Sequence, residues 1–454
     1  MEVFCKKLNE KNEPFVRHIS IHPPAVNLYS NEQLKAYTLI CRKDIVYFDA
    51  TGSVLKRPEN CNDFQIYTLL VRNPAKGGPG LPVATSISTK HDAGTICRFL
   101  ELFVQDAFKL FGFNKKPILV MVDGSMAMWN AVLRAFTNET RIDYYNRCWR
   151  IVTGKACAND LKKTFFQNCL SHAMRAAKIL VGKYYKRAYR NVALFWIGKL
   201  FSVSTFDQLD SVMESIIVVT NCENSSGFVK NHFEKLKHGI VLDVNYFPHE
   251  FVSESNSKIQ NEDFHTASKY TDEKQETNSP FYLHFTKKLN QFLQTDINQN
   301  HKRHEKTLDN VLNVYFDNTF CKKLIRVIGS RICCTSKLLL GDLSRHKNVQ
   351  SSFAAIKLYL EYSALYKQIQ KASPNFAVEN NLTQGVIEQH FNTLKNVCLK
   401  GNRICRIDDF VQKYYNELKI TQQLFSDFAL HHFTQMKKQI RKTGNVVLSK
   451  FRKR

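Results

Sequence analysis

Two aspartates close apolar runs in this chain, and their residue type at that place could do chemistry. Asp49 follows Ile45-Val46-Tyr47-Phe48, and Asp123 follows Ile118-Leu119-Val120-Met121-Val122. A carboxylate ending an apolar strand is costly to desolvate unless the strand end is exposed or a cation sits beside it. Each alone has an ordinary explanation, because turns favour Asp. If the two strands are neighbours, however, both carboxylates project from one sheet edge and can share a divalent ion. Hard oxygen ligands of this kind suit Mg²⁺ or Mn²⁺. Two such ions about 4 Å apart activate a water or a 3′-hydroxyl and stabilise the leaving oxygen of a phosphodiester. A third carboxylate is then needed, and Glu388 is the candidate. It lies beside an apolar stripe of Ile387, Phe391, Leu394 and Cys398, where a side chain can enter a cleft while its helix packs on a sheet. The competing reading is a solvated helix glutamate paired with a lysine.

The elements that must position these groups are legible between residues 44 and 136. Residues 44–48 form a β-prone run, Ile66–Val71 a second strand and Pro82–Thr89 a third. Asn73-Pro74 and Gly77-Gly78-Pro79-Gly80 separate the last two. Ile96, Phe99, Leu100, Phe103, Val104, Ala107 and Leu110 recur at helical spacing and predict a helix over Ala93–Phe111. Ile118–Val122 is a fourth strand, and Met126–Phe136 a second helix. The predicted order is β-β-β-α-β-α.

Around this block the pattern is plainer. Residues 1–43 read as a lead-in with a Pro23-Pro24 break and a helical stretch from Asn31 to Cys41. Residues after 164 read as largely helical, including Ala173–Tyr185, Ser351–Ala372 and Thr383–Val397, the last with a Thr cap. Residues 253–279 are polar and poor in large aliphatics, which predicts a mobile loop. No internal repeat is present.

The 454 residues carry 65 Lys+Arg against 40 Asp+Glu, a formal charge of +25, with 44% hydrophobic residues. That composition excludes a wholly disordered chain and points to a polyanionic partner. No run of about 18 uncharged apolar residues exists, so no membrane-spanning helix is expected. The N-terminus lacks the apolar core of a signal peptide. Thirteen cysteines without a CxxC pair suit a reducing compartment. The last twenty residues hold eight positive charges and no acid. KKQIRK and KFRKR within them fit phosphate contact or nuclear import.

The run YFDATGSVLK with LPVATSISTKH, then VMVDGSMAMWNAVLRAF, FFQNCLSHAMR and NNLTQGVIEQHFNTLKN, resembles in its ordered set the DDE transposases of the Mutator-like superfamily. The animal branch, including transposases like those of foldback elements, is the nearest in character, and the resemblance spans roughly residues 20–420. It implies an RNase H-like (retroviral-integrase-like) α/β core interrupted by a large, mainly helical insertion. The expected division is core at 44–185, insertion at 186–375, core with the Glu helix at 376–420, and a basic tail at 421–454. The spacing agrees, with 74 residues between the aspartates and 265 more before the glutamate. Carried over, the implied triad is Asp49, Asp123 and Glu388, holding two Mg²⁺ or Mn²⁺ ions for cleavage and strand transfer. The implied partner is double-stranded DNA, at element ends and target, in the nucleus, with self-association left open. The family's separate N-terminal DNA-binding module has no counterpart in the 48 residues before Asp49. A domesticated or truncated, catalytically silent DNA-binding protein on the same fold is therefore the alternative. A helical scaffold that binds RNA or protein through its basic surface is a second, and it requires the three carboxylates to lie far apart.

Cys169-x-x-His172 matches the CxxH element that this family carries after its second aspartate. Two ligands do not make a zinc site, which takes four, and Cys148 and Cys157 upstream fit no standard spacing. A structural or DNA-positioning role for Cys169 and His172 is the preferred expectation. His301/His304 read as a solvated face and Cys333-Cys334 as buried packing. Trp129, on the helix after Asp123, reads as core, although an aromatic there could also stack on a base.

Overall fold

The structure, a computed structural model, describes residues 14–42, 44–73, 78–112, 116–184, 190–203, 205–221, 227–238, 278–298, 324–325, 385–399 and 405–427. In chain order the elements begin β1 (Val16–Ser20), β2 (Ala25–Leu28), α1 (Asn31–Ile40), β3 (Val46–Thr51), β4 (Gln65–Val71), β5 (Leu81–Ser88), α2 (Ala93–Phe111) and β6 (Leu119–Val122). There follow α3 (Met126–Thr137), α4 (Arg141–Val152), α5 (Ala158–Lys162), β7 (Phe165–Asn168), α6 (Leu170–Tyr184), α7 (Arg190–Ser202), α8 (Phe206–Asn221), α9 (Gly227–His238) and α10 (Pro280–Asn298). The last elements are α11 (Gly385–Thr393), a π-helical turn at Leu394–Cys398, and α12, residues 407–427. The expected β-β-β-α-β-α block is present as β3 to α3.

The chain divides into two compact units, one formed by residues 1–123 with 353–454 and the other by residues 124–352. The first division falls directly after Asp123. The expected mobile loop at 253–279 lies outside the described residues up to 277. So do the helix at Ser351–Ala372, the Thr383 cap, His301/His304, Cys333-Cys334 and the basic end of the chain.

In the first unit, six strands run in the order β1-β2-β5-β4-β3-β6. Neighbours are antiparallel except β3 and β6, which are parallel. The sheet is therefore mixed, and the class is α/β. Two of its strands come from the segment that the sequence offered only as a lead-in. VRHIS and AVNL are too short for periodicity to reveal, and they become strands by pairing outward from β5.

Helices cover both faces. On one, Phe103 of α2 meets Tyr29 and Tyr37 edge-on, and Phe99 lies near Phe48 of β3. A left-handed Gly112 ends α2, where a side chain would be strained. The other face buries Ile66 and Ile87 against Leu394, Leu399, Phe410, Val411 and Tyr414. This is how a segment more than 300 residues downstream is fixed to the sheet. A parallel bridge between Leu55 and Cys405 adds backbone bonds from the Lys56 N–H to the Cys405 carbonyl (2.9 Å) and from the Cys405 N–H to the Val54 carbonyl (3.4 Å).

The second unit is helical apart from β7. Its core holds Trp129, Tyr144 and Phe166, with the Trp129 indole N–H donating to the Asn168 side-chain oxygen at 2.7 Å. The core reading of Trp129 therefore holds. Arg147 is fully buried here, bidentate on Glu139 and donating to the carbonyls of Asp160 and Thr164, so its charge is paired rather than stranded.

Candidate metal-binding carboxylate site

The parallel register aligns Val46 with Val120, Tyr47 with Met121 and Phe48 with Val122. Asp49 follows Phe48 within β3, and Asp123 follows Val122 just past the end of β6. Asp49 is not the residue that closes its strand, as the sequence suggested, because β3 continues to Thr51. Pairing with β4, where Asp49 opposes Thr68 and Thr51 opposes Ile66, carries the strand two residues further.

Alternation along β3 sets the face. Phe48 turns towards α2, so Asp49 turns towards the face packed by α11 and α12. Thr68 and Thr85 continue this row across β4 and β5, and the Thr85 hydroxyl hydrogen-bonds the Tyr414 hydroxyl of α12 at 2.7 Å. Asp49 is buried, and its Oδ1 accepts the Ala50 N–H at 2.8 Å. Burial holds its carboxyl well above the usual carboxylate range. The charge of Asp123 pushes it further up, the Ala50 N–H opposes, and the charge of Glu388 adds to the rise. Asp49 thus sits within the electrostatic reach of both other carboxylates.

Glu388 lies in the first turn of α11 and is exposed, while Ile387 and Phe391 of the same helix and Leu394 of the π-helical turn after it are buried. The expected apolar stripe is therefore present at these three positions. Helix α11 packs on β3. Gly80, just before β5, permits this approach: a Cβ there would lie 2.8 Å from both Leu70 and Val386. His390 has its Nε2 shut away from solvent with no hydrogen-bond partner among the described residues, and burial lowers its pKa to about 4. It is a neutral packing residue between Phe391 and Tyr414.

Carboxylate oxygens are hard donors of the kind a divalent cation takes, and the desolvated Asp49 carboxyl feels the like charges of Asp123 and Glu388. Among the described residues, however, these three do not form a cluster of ligand atoms all within 4.8 Å of one another.

Sequence reading did not single out Tyr67 and His91. Tyr67 lies on the opposite sheet face from Asp49, stacked near Phe48. Its hydroxyl is 3.2 Å from His91 Nδ1, and His91 Nε2 is 2.9 Å from the Asp63 carbonyl. The carbonyl can only accept, so Nε2 carries the proton and the Tyr67 hydroxyl donates to Nδ1. Burial lowers the His91 pKa, keeping the ring neutral. Burial also raises that of Tyr67, with the charges of Asp123 and Asp92 acting in the same direction. The only sequence signal was an alternating strand tyrosine and a histidine before a capping Asp.

Cys169 and His172 lie in the second unit, at the end of β7 and in the first turn of α6. The cysteine is buried, and its sulfur and a His172 ring nitrogen lie within 4.8 Å of each other. Cys148 is in the core and Cys157 is exposed. Among the described residues neither joins that pair in a ligand cluster. No helix among the described residues is long and apolar enough to cross a membrane. Neither the models of known protein families nor the curated proteins give a match to this chain.

Proposed function

We propose that the chain is a DDE-type DNA transposase, or a protein derived from one, that cuts and joins DNA phosphodiesters on an RNase H-like core. The observation that carries this reading is the buried Asp49, one residue past the Phe48–Val122 pair of the parallel ladder as Asp123 is, and within the electrostatic reach of Asp123 and Glu388. The mixed sheet, its interruption after β6 and the return of the chain as α11 support the RNase H-like assignment. The +25 charge supports a nucleic-acid substrate and a nuclear location.

In this reading Asp49, Asp123 and Glu388 hold two Mg²⁺ or Mn²⁺ ions, which when bound supply an activated water or 3′-hydroxyl and neutralise the leaving oxygen. The chain's own part is positional. The strand ladder and the Ala50 N–H fix Asp49, and Asp123 follows directly from the end of β6, the parallel neighbour of β3. Glu388 comes from an exposed helix face, where it meets substrate and solvent. Phe48 and the aromatic residues behind it keep water out beneath the site. Cys169 and His172 keep a structural or DNA-positioning role.

A plasmid-nicking assay with Mg²⁺ or Mn²⁺ tests the proposal. Wild type is expected to nick, and Asp123→Ala to lose at least 100-fold in rate, on the order of 3 kcal/mol of transition-state stabilisation. Equal activity in the two sinks the catalytic assignment. DNA binding without any wild-type nicking identifies the silent DNA-binding alternative instead.

A further inference from the structure

The sheet edge that carries Asp49 and Asp123 continues away from them. Register places the amino end of β4, the carboxyl end of β5 and the β1–β2 turn along the same edge, since Thr51 opposes Ile66, Gln65 opposes Ser88, Ser88 opposes Ala25 and Ala25 opposes Ser20. A cleft of about 580 Å³ opens there, lined by the β1–β2 turn, the loop between β3 and β4, and the residues that follow β5.

Its chemistry is opposite to that of the carboxylate site. Arg57 and Lys90 line it, with the amides of Asn60 and Asn62 and the imidazole of His22, and among the described residues no acidic side chain does. Arg57 Nε donates to the Cys61 carbonyl at 2.7 Å, which closes the loop. Its terminal amino groups have no hydrogen-bond partner among the described residues. Asp63 stands 3.7 Å from Arg57, and Asp92 stands 2.9 Å from Lys90. Arg57, Asp63 and Lys90 have largely exposed side chains and that of Asp92 is partly exposed, and pairs of that kind are readily exchanged for a better anion.

The cleft is also tied to the carboxylate site. His91 follows Lys90 directly and joins the Asp63 carbonyl to Tyr67, whose strand lies beside β3. From β3 to β1 the edge crosses four strand spacings, roughly 20 Å, at about 4.8 Å each. One small anion needs no such length, whereas successive phosphates of a strand do.

We propose that this cleft docks the sugar–phosphate backbone of the DNA strand as it leaves the carboxylate site, Arg57 and Lys90 contacting phosphates and Asn60 and Asn62 donating to phosphate or sugar oxygens. The proposal rests on the reading of the chain as a DNA-cutting protein. Such contacts position a strand without reading its sequence.

Fluorescence anisotropy of the full chain, with labelled duplex DNA of arbitrary sequence and a salt series, tests it. Arg57→Ala/Lys90→Ala is expected to bind about tenfold more weakly, with the slope of log K against log salt shallower by about two. Arg57→Lys/Lys90→Arg keeps both charges and is expected to retain the wild-type slope. Circular dichroism establishes that each variant is folded. Wild-type affinity and slope in the alanine variant overturn the proposal, and so does tighter binding to an RNA duplex of the same sequence. The two readings fail separately. DNA binding that depends on the cleft in a chain that never nicks leaves the cleft and removes the enzyme. Nicking by the alanine variant at the wild-type rate and affinity removes the cleft and leaves the enzyme. A wild-type chain that binds no DNA removes both.

Discussion

Asp49 is poorly placed for stability, and in the proposed function a bound cation would offset that. Its carboxyl is buried beside β6 and near two further negative charges, so the fold favours its protonated form. A folded-state pKa above the unfolded one gives stability that is fully present below the unfolded pKa and is lost as pH rises through the folded value. In the metal-free chain Asp49→Asn is therefore expected to raise stability at neutral pH by about 1–3 kcal/mol, the scale of relieving a buried, poorly paired group. The gain closes towards pH 4, where the wild-type carboxyl is protonated. Chemical denaturation in EDTA at both pH values measures it, and a destabilised Asn variant at neutral pH refutes the electrostatic account. Mg²⁺ should raise the wild-type melting temperature and leave that of Asp49→Asn nearly unchanged. The candidate carboxylates were legible because a charge after an apolar run is costly. Tyr67 and His91 were not, since their pairing depends on a strand and a distant loop meeting in space, which no sequence spacing encodes.

The elements differ in legibility for related reasons. Strands β3 to β6 and helix α2 stand out because long apolar runs and a 19-residue amphipathic pattern declare their own period. β1, β2 and β7 have four or five residues each and gain their form from neighbours. The place of α11 was legible only in part. Its apolar stripe is in the sequence, but its docking needs Gly80, which read simply as part of a loop. A methyl group there meets Leu70, which is fully buried, and Val386, and neither is a long flexible chain that can swing aside. Gly80→Ala should cost about 1–3 kcal/mol by overpacking. It should also lower the nicking rate by shifting Glu388, with DNA affinity unchanged. Adding Val386→Ala makes room for the methyl group and should restore much of the rate. A single variant with wild-type stability and rate shows that α11 does not depend on this contact.

At the scale of the whole molecule, charge and chain order have to be reconciled. The first unit is assembled from residues far apart in sequence, with the second unit's residues lying between Asp123 and Glu388. Glu388 therefore lies in the same unit as Asp49 and Asp123, however long the excursion before it. The charge is likewise uneven. Eight of the positive residues fall in the acid-free last twenty, whereas Arg57 and Lys90 line a cleft of the first unit. The two groups should contribute differently. Cations in a run without acids neutralise phosphates but orient nothing, so removing residues 435–454 should weaken binding to all DNA alike. The salt slope should fall by several units, about 0.9 for each phosphate that is no longer neutralised. The Mg²⁺-induced thermal shift, which reads the carboxylates alone, should be unchanged. Nicking by the shortened chain should recover at saturating DNA, because the defect lies in capture and not in the bond-breaking step. If nicking stays low at saturating DNA, the tail contributes to the site itself, and the division between holding DNA and cutting it is wrong.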